Sequence, residues 1–263
     1  MKKFLDVSLV VCVADDVRIE KLLNSIDAYC EVVVVLNGAT EEVREIVNSF
    51  RNTNNFKLVV TEIPDRNLSK SRNIGMEVAH YNKVISYDSD CVVVEGALEL
   101  FSKALESYSV VDGKVKFRND NFQSKIISVT REIGVPEYAL CPAIGINKKI
   151  KSKIQNYFFD NDICWVEDFE FNIRAKKAQI DIGTIETITC IHDNLSFKQD
   201  LKSAFRYGTG VKKAVRKKIY DRGPDGNWGV ILPIMKKNIL SGIYYILWNI
   251  IYCIGYFTTN PKY

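Results

Sequence analysis

The segment KVISYDSDCVVVEG (83–96) sets Asp88 and Asp90 one residue apart, where the apolar run of Val84, Ile85 and Tyr87 breaks before Val92, Val93 and Val94. On a continuing strand these carboxylates would point to opposite faces. At a strand end, where the chain turns, both can swing toward one ion. Hard oxygen ligands of this kind suit Mg²⁺ or Mn²⁺, which keep positions open for phosphate oxygens. A second acidic pair, Glu167 and Asp168, opens WVEDFEFNIRAKKAQ (165–179), in which Phe169, Ile173 and Ala178 have helical spacing. Acids at a helix start gain from the dipole, and a carboxylate there can also serve as a general base. His192 ends the strand-like IDIGTIETITCIHD (180–193) and is one of only two histidines. Metal ligation and a purely structural role both suit it. Arg72, in SKSRNIGMEVAH (69–80), could pair locally or meet a phosphate.

The elements that would position these residues alternate. DVSLVVCV (6–13), EVVVVLNG (31–38), FKLVVTEI (56–63) and KVISYD (83–88) read as strands buried on both faces. RIEKLLNSIDAY (18–29), EEVREIVNSFR (41–51) and the 69–80 segment, with Ser69 placed to cap it, read as the helices between them. This rhythm predicts an α/β fold: an open, mostly parallel sheet flanked by helices. Ligands of such sheets bind beyond the carboxyl ends of the strands. Asp15, Asn37, Asp65 and the Asp88/Asp90 pair all follow strands and would gather along that edge, Asp15 and Asn37 included in the ligand site. After residue 100 the rhythm weakens, and 112–137 and 141–150 read as mixed strands and loops.

Four ordered motifs resemble the family 2 inverting glycosyltransferases, which have the GT-A fold. They are VSLVVCVADD…RIEKLLNSI, VVVVLNGAT, LSKSRNIGMEVAHYNKVISYDSDC and WVEDFEFNIRAKKAQI, and the likeness covers roughly residues 5–210. The resemblance implies a nucleotide-sugar donor, with a UDP-sugar favoured, and a Mn²⁺ or Mg²⁺ ion on its diphosphate. It implies that Asp88 and Asp90 hold that ion, with His192 as a further ligand. It implies that Asp168 is the base that deprotonates the acceptor, that Asn37 stands where an acid contacts the nucleotide base, and that Arg72 faces the donor. The sequence departs from the family at Cys12-Val13-Ala14-Asp15 and at Leu36-Asn37, and it has no Gln-x-x-Arg-Trp, the mark of processive synthases. Two other readings stay open. A nucleotidyltransferase would use a similar sheet, with a Gly-rich basic loop after the first strand where VCVADDVRIEK has no glycine. A membrane-bound scaffold with a dead fold would not need these acids.

The 263 residues carry a net charge of +4 and seven dispersed cysteines with no Cys-x-x-Cys pair, so they predict a reducing compartment and no zinc site. MKKFLDVSLVV is too short and too soon charged for a secretory signal. The basic charge concentrates in 198–222, nine Lys or Arg against two Asp, with Val211, Ala214, Val215 and Ile219 at helical spacing. No aromatic platform accompanies it, so an anionic membrane surface fits better than nucleic acid. Residues 238–261 carry no charge, and Ile239 to Phe257 would span about 28 Å as a helix. Tyr245, Trp248, Asn249, Tyr252 and Tyr256 share one helical face, which predicts an interfacial or hairpin arrangement in preference to a full span. The chain thus divides into a catalytic part (1–197), a basic amphipathic segment (198–226) and a hydrophobic, membrane-associated tail (227–263). It is expected at the cytoplasmic face of the cell membrane, acting on a lipid-linked glycan or envelope polymer.

Overall fold

Four parallel strands form the first half of the sheet in the computed structural model, which describes residues 3–134, 141–221, 223–224 and 228–259. They are β1 (Phe4–Val13), β2 (Tyr29–Asn37), β3 (Lys57–Ile63) and β4 (Lys83–Asp88), in the spatial order β3-β2-β1-β4. The sheet continues as β7-β6-β8-β5, from β5 (Cys91–Val93), β6 (Val110–Phe117), β7 (Ala143–Asn147) and β8 (Ile182–His192). β4 and β6 run antiparallel to β7, while β6 and β8 are parallel.

Continuous β-branched runs make strands buried on both faces, and both faces are covered. Leu9, Val11, Val32, Val34, Ile85 and Tyr87 pack against α1 (Ile19–Asn24), α2 (Glu41–Ser49) and α4 (Ala97–Ser107). Val10, Val33, Val35 and Val84 pack on the other side against α3 (Leu68–Val78), a 3-10 segment (Lys148–Ile154) and α6 (Glu167–Lys177). Gly75 lets α3 approach closely, since a Cβ there would sit 2.4 Å from a methyl of Val10. From β1 the chain first builds outward through β2 and β3, then crosses back to add β4 on the other side. That reversal opens a crevice at the carboxyl ends of β1 and β4, where Asp88 lies beside Cys12 in the ladder.

Three expectations change. The helix expected over 18–29 ends at Asn24, because Ser25 accepts from Val93 N and Asp27 accepts from Gly96 N, pinning the chain to the neighbouring elements. Ser69 does not cap α3. Asn67 does, accepting from Lys70 N at 2.9 Å, and the Ser69 hydroxyl donates to Ile163 O. The stretch read as strands and loops holds helix α5 (Phe122–Gly134), started by Asn121, which accepts from Ser124 N. Its buried Ile126 and Ile127 rest against Tyr244, far along the chain, so its local pattern is thin. Residues 135–137 of that stretch lie outside the described residues.

The last helices are α7 (Phe197–Arg216), α8 (Ile231–Lys237) and α9 (Ile239–Thr258). Ser196 and Gln199 form a capping box at the start of α7. α7 and α9 cross at glycines: a Cβ on Gly208 would lie 2.0 Å from Tyr252 O, and one on Gly255 2.1 Å from Phe205 O. Helix α9 is long and apolar enough to cross a membrane by length and composition. Its face of Tyr245, Trp248, Asn249, Tyr252 and Tyr256, expected at a membrane interface, instead turns inward onto α7 and α5. Tyr245 and Asn249 are buried, and Arg131 lies 5.4 Å over the Trp248 ring. The Asn249 amide donates to Tyr245 O, which removes the cost of burying it. The opposite face, Ile239, Leu240, Ile243, Leu247, Ile250, Ile254 and Phe257, is exposed and wholly apolar. The basic stretch is likewise partly engaged: Lys212 donates to Thr259 O at the end of α9, and Lys217 pairs with Asp160 and Asp162. Arg222, the boundary at 226/227 and residues 260–261 lie outside the described residues.

Candidate active site

Asp88 is the last residue of β4, and the turn Ser89-Asp90 leads directly into β5. β5 pairs antiparallel with β8, Cys91 opposite His192, and Asp193 N donates to Asp90 O. The ladder thereby sets His192 beside Asp90, with Nε2 3.3 Å from Asp90 Oδ2. His192 Nδ1 lies 2.9 Å from Asp193 O, and because a carbonyl only accepts, Nδ1 carries the hydrogen. The imidazole also stacks on Phe117 at 5.0 Å. In the neutral ring, Nε2 then presents a lone pair to a carboxylate, an arrangement that calls for a shared proton or a cation. Cis donors around an octahedral divalent ion lie roughly 3 Å apart, so the spacing of this pair fits one ion. Cys91 Sγ completes a cluster within 4.8 Å, but burial pushes its thiol well up, so it stays a thiol and leans on Asp90 Oδ1.

The two acids of the Asp-Ser-Asp turn have different neighbours. Asp90 is mostly buried and its carboxyl is raised by burial, with His192 as the main opposing influence. Arg18 Nη2 lies 3.3 Å from it. Arg18 also grips Asp16 through Nε and Nη2, at 2.8 and 2.7 Å, and lies 3.8 Å from Asp193. Asp88 is more open and accepts from Arg72 Nη2 at 2.7 Å. Arg72 is 3 % exposed, and its other amino group is bonded to Glu167. It does not reach toward solvent: both ends of its guanidinium are taken by acids, and its face lies over Phe159.

That ion pair links the sheet edge to the second acidic pair. Burial pushes the Glu167 carboxyl up to about 7, against the pull of Arg72, and Glu167 Oε2 is buried without a hydrogen-bond partner among the described residues. Asp168 stands in the first turn of α6 and accepts from Cys141 N at 3.1 Å and from its own neighbour Phe169 N at 2.7 Å. Burial raises its carboxyl as well, with Arg72 pulling the other way. A carboxylate held in place with a raised proton affinity is suited to take a proton from a hydroxyl.

The α3 motif works as a clasp across this site. Ser69 bonds Ile163 O, Arg72 bonds Glu167, and Asn73 exchanges hydrogen bonds with the backbone of Phe159 in both directions. Together they dock the loop that precedes α6 onto the helix that leads into β4. Asn37 is buried and accepts from Asn67 N at 2.9 Å, fixing the start of α3. Asp15 is the outlier: it is exposed and pairs with Arg66 at 2.8 Å. Sequence reasoning missed Arg18, the cation of the Asp90 side, whose one signal was its place in the ADDVR turn immediately after β1.

The structure can be compared with known proteins. TarS of S. aureus in complex with UDP-GlcNAc aligns with 92 % of this chain and 79 % of its own, at a TM-score of 0.58 and 17 % identity. The mannosyltransferase PcManGT of Pyrobaculum calidifontis, in complex with GDP-Man and Mn²⁺, aligns with 100 % of this chain and 79 % of its own, at a TM-score of 0.61 and 13 % identity. At these identities they establish a shared GT-A fold. In sequence the chain is 27 % identical over 161 residues to a poly-beta-1,6-N-acetyl-D-glucosamine synthase of Staphylococcus epidermidis, covering 60 % of this chain. It spans about a third of that relative's length (35 %). The family described as Glycosyl transferase family 2 matches residues 12–198, a stretch that begins on β1, takes in both acidic pairs and runs past His192. That match covers most of the sequence and every residue of the site, and it selects glycosyl transfer over nucleotidyl transfer: the chain belongs to glycosyl transferase family 2.

Proposed function

We propose that the chain moves a sugar from a nucleotide-sugar, a UDP-sugar in preference to others, onto a hydroxyl of a lipid-linked glycan or envelope polymer at the cytoplasmic face of a membrane, inverting the anomeric centre. The observation that carries this reading is Arg72, which joins the strand-end Asp88 to the helix-start Glu167 and so makes one site of two acidic pairs. Asp168 takes the proton from the acceptor hydroxyl. The freed oxygen attacks the anomeric carbon from the side opposite the leaving diphosphate, and a single displacement inverts it. Asp88, Asp90 and His192 would hold a Mn²⁺ or Mg²⁺ ion, and such an ion, when bound, supplies positive charge to the leaving diphosphate. Arg18 shares that side of the site and keeps Asp90 oriented. Asn37 and Asp15 line the approach for the nucleoside.

In this reading residues 1–197 carry the chemistry, and 198–226 and 227–263 attach it to the bilayer. The exposed apolar face of α9 lies in the plane of the membrane, because its polar face is already packed within the protein. The printed ligands of the structural relatives, UDP-GlcNAc and GDP-Man with Mn²⁺, and the polymer made by the sequence relative are consistent with such a donor and product. Calorimetric titration of the protein with UDP-, GDP- and CMP-sugars, with and without Mn²⁺, tests it. UDP-sugar binding that needs the metal is expected; if no nucleotide sugar binds under any condition, the reading fails.

A further inference from the structure

One oxygen of Asp90 faces two groups of different kind. His192 Nε2 and Arg18 Nη2 each lie 3.3 Å from Oδ2. The imidazole offers a lone pair to an ion, whereas the guanidinium brings a positive charge that an ion would have to oppose. Arg18 stands in the turn between β1 and α1, at the crevice where the strand order reverses. Its fork grips both oxygens of Asp16, Nε to Oδ1 at 2.8 Å and Nη2 to Oδ2 at 2.7 Å, and its backbone N donates to the same carboxylate at 3.0 Å. Asp16 therefore fixes one edge of the guanidinium. The other edge is loosely held. Nη2 meets Asp90 at 3.3 Å, and Nη1 lies 3.8 Å from Asp193, too far for a hydrogen bond. The side chain stays 24 % exposed.

Asp193 cannot balance Arg18 by itself. Lys21 Nζ lies 3.5 Å from it and Arg118 Nε 3.9 Å, so three cations converge on that one carboxylate. Asp90 supplies the remaining negative charge. An ion held by Asp90 and His192 would use the oxygen that Arg18 now faces, and the cations around Asp193 would then be short of an anion. A diphosphate supplies that charge in a form that a guanidinium fork matches. We propose that Arg18 is an exchange cation of the donor site: it holds Asp90 while no ion is bound, competes with the divalent ion for that carboxylate, and gives the freed edge of its fork to the donor diphosphate once the ion has taken Asp90. The proposal rests on the function proposed above and deepens its donor site. Ion and diphosphate then bind cooperatively, since each relieves the charge that opposes the other.

Titration of the full-length protein with Mn²⁺, read by the paramagnetic resonance of the free ion, tests the first half without any nucleotide. Arg18→Gln should tighten Mn²⁺ by on the order of tenfold, because the competing charge is gone. Calorimetry with UDP at saturating Mn²⁺ tests the second half, and there the same variant should weaken binding by on the order of tenfold. Damage to the fold would weaken both, so the opposite signs separate exchange from a structural role. Arg18→Lys keeps the charge and loses the fork, so it should hold Mn²⁺ within about twofold of wild type while weakening UDP. That variant carries the test should Arg18→Gln fold poorly. Mn²⁺ affinity in Arg18→Gln equal to or below that of wild type, or UDP affinity unchanged in either variant, would overturn the proposal. If the wild-type protein binds no nucleotide sugar, the proposed function fails on its own, and the Mn²⁺ titration still decides whether Arg18 competes for Asp90.

Discussion

The parallel half of the sheet and the C-terminal helices bury apolar surface in opposite ways. Around β1, β2 and β4 every face is covered, and the charged groups at the strand ends are bonded to one another, as in Arg72 with Asp88 and Glu167. Around α9 the covered face is the polar one, carrying Asn249, Tyr245 and the Trp248 stack, and the aliphatic face is left open. The first region is built to hold charge in fixed places without help. The second is built as though its missing neighbour were apolar. The difference teaches that the same chain finishes both faces where it gathers charge and leaves one apolar face open at its last helix.

Five substitutions would sharpen or break that contrast. The largest effect belongs to the sheet side. Asp168→Asn should lower turnover by on the order of 10²–10⁴ with donor affinity nearly intact, and Asp90→Asn should abolish metal-dependent donor binding. Both should leave vesicle flotation untouched, and a variant that lost flotation as well would show the two regions to be one. Next comes Gly255→Leu, which cannot fit beside Phe205 O and should destabilise the α7/α9 crossing by about 3 kcal/mol. Denaturant unfolding followed by tryptophan emission would report it, while UDP-sugar binding at 25 °C should persist.

A smaller effect is expected from Leu247→Lys on the open face of α9. Stability should change by about 0.5 kcal/mol at most, whereas burial of one leucine in lipid is worth roughly 2 kcal/mol, or on the order of thirtyfold in vesicle partitioning. Unchanged partitioning would mean that α9 does not meet the bilayer. The smallest is a slope. Between the ordinary carboxyl value of 4.5 and about 7, folded Glu167 keeps a proton that the unfolded chain has released. Stability should therefore fall as pH rises through that window, by up to about 1.4 kcal/mol per unit. Glu167→Gln removes this exchange, so its melting temperature should vary less between pH 4.5 and 7. Parallel curves for the two proteins would count against the shift.

The same contrast explains what was legible in the sequence. Val7, Leu9, Val32 and Val34 announce a doubly covered strand because the pattern is local, and Asp88, Asp90, Asp168 and His192 stand at element ends that the pattern itself locates. Helix α5 escaped because its partner, Tyr244, is more than a hundred residues away. The inward face of α9 escaped for a related reason: an aromatic and amide stripe is equally suited to a lipid interface and to a packed helix, and only the close crossing at Gly208 and Gly255 decides. Arg72 was found, but not its partners, since nothing in SKSRNIG says that a cation will be shared between Asp88 and Glu167, which lie far apart in the sequence.

That sharing limits how far the enzyme can be rewired. A guanidinium is a rigid fork, so Arg72 fixes the distance between the end of β4 and the start of α6 as well as their charges. Any change that relocates Asp88 to suit another nucleotide must pull on Glu167, and through it on the residue next in sequence. If the proposed roles hold, donor choice and acceptor geometry are therefore not separable modules in this chain. Grafting a new nucleotide pocket would call for a matched change at 167, and the coupling between Asp88→Asn and Glu167→Gln in a double-mutant cycle would measure how tightly the two are tied.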